Sequence, residues 1–289
     1  MGIAAMSGAD DGNAALAALD WLGRPVHCND CPHEVIRAES RCDLGRICVR
    51  DQRARRIDRF FAANPEEADK YLKHPYFEAR VLAAKYASVF LLPPLMEDPE
   101  PDVRTMVAHR LPVNRIAHLA NDPDRKVRMV VAQRLEGAAL VPMLNDKDYW
   151  VRLVVVKRVP EDVLPVAMHD PDPQVRREVA RRIKPDVLPA MSFDPDPLVR
   201  VAVAARLEPK QLLALVADKD LRVRYVVAER GTPAILAHLR DDPDPEVTRL
   251  VCSRTQAGAA GAPDDGPASA GRNADSMSGE ENGGRPRNR

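Results

Sequence analysis

Four of the five cysteines in this chain fall within 21 residues, as Cys28-x2-Cys31-x10-Cys42-x5-Cys48. A pair of thiols two residues apart puts two soft donors on one tight turn. The later two can then close a cage of four thiolates round a metal centre. Zinc favours two such close pairs, whereas here the second pair is spread to five intervening residues. The compact bacterial ferredoxin run is not reproduced either, because Val49 stands where that run carries proline after its fourth cysteine. Spacing alone therefore leaves an iron–sulfur cluster and a zinc ion as equal alternatives. His27 and His33 flank the first pair and are potential substitutes, but four thiols already complete a ligand set, and we read both as bystanders.

No second chemical constellation accompanies the thiols. His74, His109, His118, His169 and His238 are scattered without a nucleophile beside them, and no G-x-G-x-x-G, GK[ST] or HExxH pattern occurs. A closed four-thiolate site leaves no open position for a substrate, so we expect no enzymatic activity. Lysine plus arginine equals aspartate plus glutamate at 43 each, and aromatic residues make up only 4%. Neither the balance nor the aromatic content favours a nucleic-acid surface. A charged-then-apolar leader and an apolar run of about 18 residues are both lacking, which predicts a cytoplasmic protein with no membrane partner. In that compartment cysteines serve metals or redox chemistry before disulfides.

The elements that must position the thiols are set by a repeat. Val103-Arg104, Val127-Arg128, Val151-Arg152, Val175-Arg176, Val199-Arg200 and Val223-Arg224 follow one another at intervals of 24 residues, with Ala79-Arg80 before them in frame. Such a period, free of insertions, is that of a solenoid. An aspartate opens each unit (Asp98, Asp122, Asp146, Asp170, Asp194, Asp218, Asp242), and a second acidic residue follows two positions later, often before proline. Acid then proline is a helix start, since the carboxylate accepts orphan N–H groups and proline has none to leave unpaired. Valine and leucine at i, i+4 and i+8 then mark a helix of about three turns. Proline ends it, and a short apolar segment such as Val187–Met191 follows, suited to one turn of α- or 3₁₀-helix. A small residue after the central valine (Ala84, Ala108, Ala132, Val156, Ala180, Ala204, Ala228) lets neighbouring helices approach. No single unit can bury its stripe alone, so the core exists only by stacking.

Two arginine columns run through the repeats, Arg80 to Arg224 and Arg110 to Arg254. Regular guanidinium groups can bind phosphate or an acidic partner. The equal supply of aspartates favours a structural reading, in which the arginines complement helix C-termini and reach the aspartate column across unit boundaries. Arg50, Arg53, Arg55, Arg56 and Arg59 lie in a stretch, Arg46 to Phe61, that we expect to be helical. We assign them to a solvated face paired with Asp51 and Asp58 rather than to an acidic partner. Cys252 takes the small-residue slot of the last unit and is expected to be packed.

A 24-residue repeat of the form DPDPxVRxxVAxRL behind a short four-cysteine module resembles the leucine-rich repeat variant proteins over about residues 24–255. That resemblance implies a 4Fe–4S cluster at the N-terminus, with Cys28, Cys31, Cys42 and Cys48 as its ligands, and a solenoid of alternating α- and 3₁₀-helices. It implies a cofactor but no defined activity.

The expected protein is all-α, a right-handed solenoid capped by a small Fe–S module. Residues 1–23 form a flexible N-terminus with a short helix between Ala14 and Leu22, and 24–62 the cysteine module. Residues 63–255 form about eight repeats, and 256–289 a disordered tail. The expected function is a scaffold for a protein partner, sensitive to the redox state of the cluster. The alternatives are electron transfer, nucleic-acid binding by the arginine columns, or a structural zinc site in place of the cluster.

Overall fold

The structure is a computed structural model that describes residues 18–260, with side chains as far as Gln256. Two helices belong to the cysteine-bearing region, α1 (Glu34–Ala38) and α2 (Ala54–Ala63). The repeats supply α3 (Phe77–Tyr86), α4 (Pro101–Arg110), α5 (Val113–Ile116), α6 (Arg125–Arg134), α7 (Tyr149–Val156), α8 (Pro173–Arg182), α9 (Pro197–Ala204), α10 (Leu221–Arg230), α11 (Pro233–Ala237) and α12 (Pro245–Ala260). Setting aside the short α5 and α11, the described residues contain eight repeat helices that stack side by side in chain order. Between them run 3₁₀ segments, among them Pro65–Tyr71, Gly137–Asn145, Glu161–Ala167 and Leu188–Met191. The fold is the expected all-α solenoid of alternating α- and 3₁₀-helices.

Each helix starts where its sequence dictates. The side chains of Asp124, Asp148, Asp172, Asp196 and Asp220 accept the backbone N–H two residues on, as N-caps do. The first aspartate of each unit lies outside the helix. It accepts the amide of the second acid, as Asp146 accepts from Asp148 at 2.8 Å, and turns the chain into the cap. Behind the cap, Val127, Val131 and Leu135 face inward, as do their equivalents one period on, with at most 4% of each exposed. Burying each such side chain is worth about 1.5–3 kcal/mol. The small slot is fully buried from Ala84 to Ala228, so it is there that neighbouring helices come closest. Gly231 stands where other units carry Leu111 or Ile183, and a Cβ on it would lie 2.8 Å from the Ile235 side chain. Ile235, from α11, thus occupies the space that the missing side chain leaves.

Both arginine columns are consumed inside the stack. In the first, Nε and Nη2 of Arg128 donate to the Asp146 carboxylate at 2.7 and 2.9 Å, while Nη1 donates to the Asp122 carbonyl at 2.9 Å. The same bidentate bridge recurs from Arg80–Asp98 to Arg224–Asp242, always to the next unit. The second column reaches backwards. Arg134 donates to the carbonyls of Ala108 and Leu111 at 2.6 and 2.5 Å, and Arg254 to those of Ala228 and Gly231 at 2.8 and 2.9 Å. These are the carbonyls a helix leaves unsatisfied at its C-terminus. One column ties each unit to the next and the other ties it to the last.

Four expectations are corrected. Arg46–Phe61 is helical only from Ala54: the tight turn between Asp43 and Ile47 takes up its first two residues, further turns follow, and Asp51 accepts the Arg53 amide at 2.9 Å just before the helix. Residues 18–22 carry an isolated bridge from Leu19 to Pro25 rather than a helix, and 14–17 lie outside the described residues. The last helix runs on to Ala260, past the expected end of the repeats, and the rest of the expected tail lies outside the described residues. Cys252 is exposed rather than packed: in earlier units the equivalent slot is buried between helices, and no further repeat helix follows among the described residues.

Candidate metal centre

The cysteine module is built from turns. Cys28 opens a 3₁₀ turn to Asp30, and the Cys31 amide donates back to the Cys28 carbonyl at 3.1 Å, so the pair shares one turn. Pro32 and His33 lead into α1. Ser40, at φ +59°, reverses the chain, the Arg41 amide donates to the Ile36 carbonyl at 3.0 Å, and Cys42 follows at once. Asp43 and Ile47 then exchange backbone hydrogen bonds of 2.8 and 2.7 Å. That small loop returns Cys48 to the side of Cys42, whose thiol donates to the Ile47 carbonyl at 3.3 Å.

Electrostatics places the four sulfurs in one neighbourhood. The Cys48 thiol is lowered to about 7, first by a hydrogen bond from Cys42 and then by the backbone amides of Arg50 and Asp51. Cys42 is pushed far up, first by that hydrogen bond to Cys48, then by burial and by negative charge on Cys48, Cys31 and Cys28. Arg50 adds a guanidinium, its Nη1 donating to the Asp30 carbonyl in the first turn at 2.9 Å. Cys48 is buried, while Cys28, Cys31 and Cys42 are half-exposed.

The donor set is all-sulfur, the kind that holds an iron–sulfur cluster. Among the described residues no three Cys, His, Asp or Glu side chains converge closely enough to hold one metal ion. A tetrahedral zinc site needs such convergence at about 2.3 Å from each sulfur. In a 4Fe–4S cubane each thiolate binds a different iron, so the sulfurs stand further apart while still surrounding one body. Four thiols on adjoining turns, with the Arg50 and Asp51 amides directed at the buried one, fit a thiolate-held centre such as a 4Fe–4S cluster.

His33 is held elsewhere. Its ring nitrogen Nε2 lies 2.6 Å from the Tyr71 hydroxyl, Nδ1 lies 3.7 Å from Glu67, and Phe60 packs on its face with ring centroids 5.0 Å apart. Burial lowers its pKa against the opposing pull of Glu67. Tyr71 is raised, first by burial and then by the negative charge of Cys31 and Glu67. Sequence reasoning gave Tyr71 no functional role. The available signal was a polar-tipped aromatic where the units that follow carry Leu95, Leu119 and Met143. Arg41 ties the other side of the module down, donating to Asn64 and Glu66 at 2.8 and 2.6 Å, while the Asn64 amide returns a bond to the Arg41 carbonyl at 3.0 Å. Of the arginines set on a solvated face, Arg56 pairs with buried Asp51 at 2.6 Å, and Asp58 is paired instead with Lys85 at 2.8 Å.

Comparison with known proteins agrees with this construction. Residues 18–70, which contain all four cysteines, match the family described as LRV protein FeS4 cluster, and residues 101–124 match the family described as leucine rich repeat variant. A protein of Rhodobacter capsulatus, described as an uncharacterized 27.7 kDa protein in the nifB 3' region, is 50% identical over 94 residues, 32% of this chain and 38% of that one. The match thus spans well under two thirds of that relative. A solved structure described as a leucine-rich repeat variant with a novel repetitive protein structural motif superimposes with a TM-score of 0.77 at 41% identity, covering 98% of its chain and 79% of this one. The cofactor of the N-terminal module is accordingly a 4Fe–4S cluster. By its repeats and its module together, the chain belongs to the leucine-rich repeat variant family.

Proposed function

We propose that the protein is a non-enzymatic scaffold whose cluster, held by Cys28, Cys31, Cys42 and Cys48, closes the front of a repeat stack that binds a protein partner. The observation that carries this reading is the continuity of the core. One hydrophobic cluster runs from Ile36 and Val49 in the module through every unit to Val251, so the module acts as the first layer of the solenoid. A solenoid needs a closed end, and a metal centre substitutes there for apolar bulk that the 24–62 segment lacks. Both arginine columns are spent within the stack, which leaves the solenoid to act through its surface rather than by phosphate capture. The described residues include no helix long and apolar enough to cross a membrane, which accords with a partner in solution.

Electron transfer is the second reading, favoured by the half-exposure of Cys28, Cys31 and Cys42, which would leave one edge of the cluster near solvent. Anaerobic purification followed by pull-down with reduced and oxidised protein separates the two. Scaffolding predicts a partner retained in at least one redox state at a stoichiometric level. Rapid turnover of electrons with a physiological donor, and no retained partner, would favour the second reading.

A further inference from the structure

The loops that carry the thiols are not anchored by the module alone. His33, two residues after Cys31, is bonded to Tyr71, and Arg41, immediately before Cys42, is bonded to Asn64 and Glu66. Both anchors lie on one short stretch, Asn64 and the 3₁₀ segment Pro65–Tyr71, the first element of the first repeat. That segment is packed on the core through Ala68, but its backbone bonding is weak. Its carbonyls make 3₁₀ rather than α bonds, and Asn64 spends its amide on the Arg41 and Phe60 carbonyls instead of capping the turn. Between the two anchors lies a cleft of about 560 Å³, lined by Pro32, His33, Val35, Arg41, Glu67 and Tyr71 among others. The third loop, after Cys48, is also fastened to the first repeat, with the Tyr76 hydroxyl donating to the Gln52 carbonyl at 3.0 Å. Further along, each unit is fixed by its own arginine bridges and does not depend on the module.

We propose that the stretch from Asn64 to Tyr71 is a transducer, ordered through His33 and Arg41 when the thiol loops are held by the cluster and released, opening the cleft, when they are not. This inference rests on the cluster-capped scaffold reading and gives it a site of control. Partner binding at the module end of the solenoid would follow the state of the cluster, while the distal repeats would stay as they are. The physical basis is local stability: Ala68 and Tyr71 pack on the core, but the segment's ties to the thiol loops are single side-chain hydrogen bonds, and part of its stability is lost once those bonds lose their fixed partner.

The test is hydrogen exchange on the full chain, purified without oxygen and compared before and after removal of iron with a chelator, with iron and sulfide measured on the same samples. Amides of residues 64–76 should lose protection by about tenfold or more on iron removal, while those beyond Arg134 should not change. In the loaded protein Tyr71→Phe should speed iron loss to the chelator about fivefold, the effect of one buried hydrogen bond. His33→Gln, which keeps a donor for the tyrosine oxygen, should recover part of that difference against His33→Ala. Asp218→Asn, which weakens the stack far from the module, should leave the rate of iron loss unchanged. Equal exchange at 64–76 with and without iron would overturn the transducer and leave the scaffold standing. Protein that holds no iron and sulfide when purified without oxygen would instead overturn the scaffold reading, and the transducer with it.

Discussion

In the repeats a polar contact such as Arg128–Asp146 recurs in seven successive units, whereas in the module His33–Tyr71 and Arg41–Asn64 each occur once. The stack is secured by redundancy: each unit is bolted forward by one arginine and backward by another, over a core that repeats every 24 residues. The module is secured by unique contacts made between turns and, in the proposed ligand set, by the bonding of four thiols to the cluster. The difference teaches where the molecule can be controlled. A change in one repeat is shared among neighbours, but a change at the thiols has no substitute.

That contrast is sharpest at the cysteines. Cys48→Ser removes the one buried thiol of the proposed ligand set, and we expect iron and sulfide content to fall to near zero with loss of protection in residues 24–62, while most far-ultraviolet helical signal, which comes from the repeats, is kept. Collapse of the whole helical signal would break the distinction between the two regions.

Within the stack, Arg128→Ala strands a buried aspartate, since only 4% of the Arg128 side chain and 6% of Asp146 are exposed. A loss of about 3–5 kcal/mol is expected from denaturant titration. A cavity-forming change at fully buried Leu164, Leu164→Ala, should cost about 2–5 kcal/mol by the same measurement, with iron content unaffected.

Acid should weaken the repeats gradually. Asp220 is lowered from 3.8 to about 2, first by its hydrogen bond to Arg222, and Asp242 is lowered by Arg224. Because the unfolded chain takes up these protons first, the stabilisation is complete above pH about 4 and is lost as pH falls toward 2. Thermal melts between those limits should show that slope, and Asp220→Asn should flatten part of it. The smallest effect belongs to the surface pair Lys126–Asp102, with side chains 61% and 48% exposed, where Lys126→Ala should change stability by no more than about 0.5 kcal/mol.

The repeats were legible because periodicity reports packing directly: valine at fixed intervals, an acid before proline and a small residue behind the second valine each have one physical meaning. The capping aspartates and both arginine columns follow from the same frame. The module was legible only at its cysteines. The expected arginine-rich helix loses its first eight residues to turns, the last of them held by Asp51 accepting the Arg53 amide, a local bond that periodicity does not report. The His33–Tyr71 bond joins residues 38 apart with no repeat to place them in register. Cys252 was misplaced because its slot is buried between helices in the earlier units, and a periodic pattern carries no mark of where it stops being covered.

The central claim is that four thiols at the front of the stack hold one iron–sulfur body on which the module, and not the repeats, depends. Anaerobic protein should carry about four irons and four sulfides per chain, and stripping them should abolish hydrogen-exchange protection in residues 24–62 while protection from Val127 to Val251 persists. Stoichiometric zinc with no sulfide, or protection in the module unchanged after the metal is gone, would contradict it.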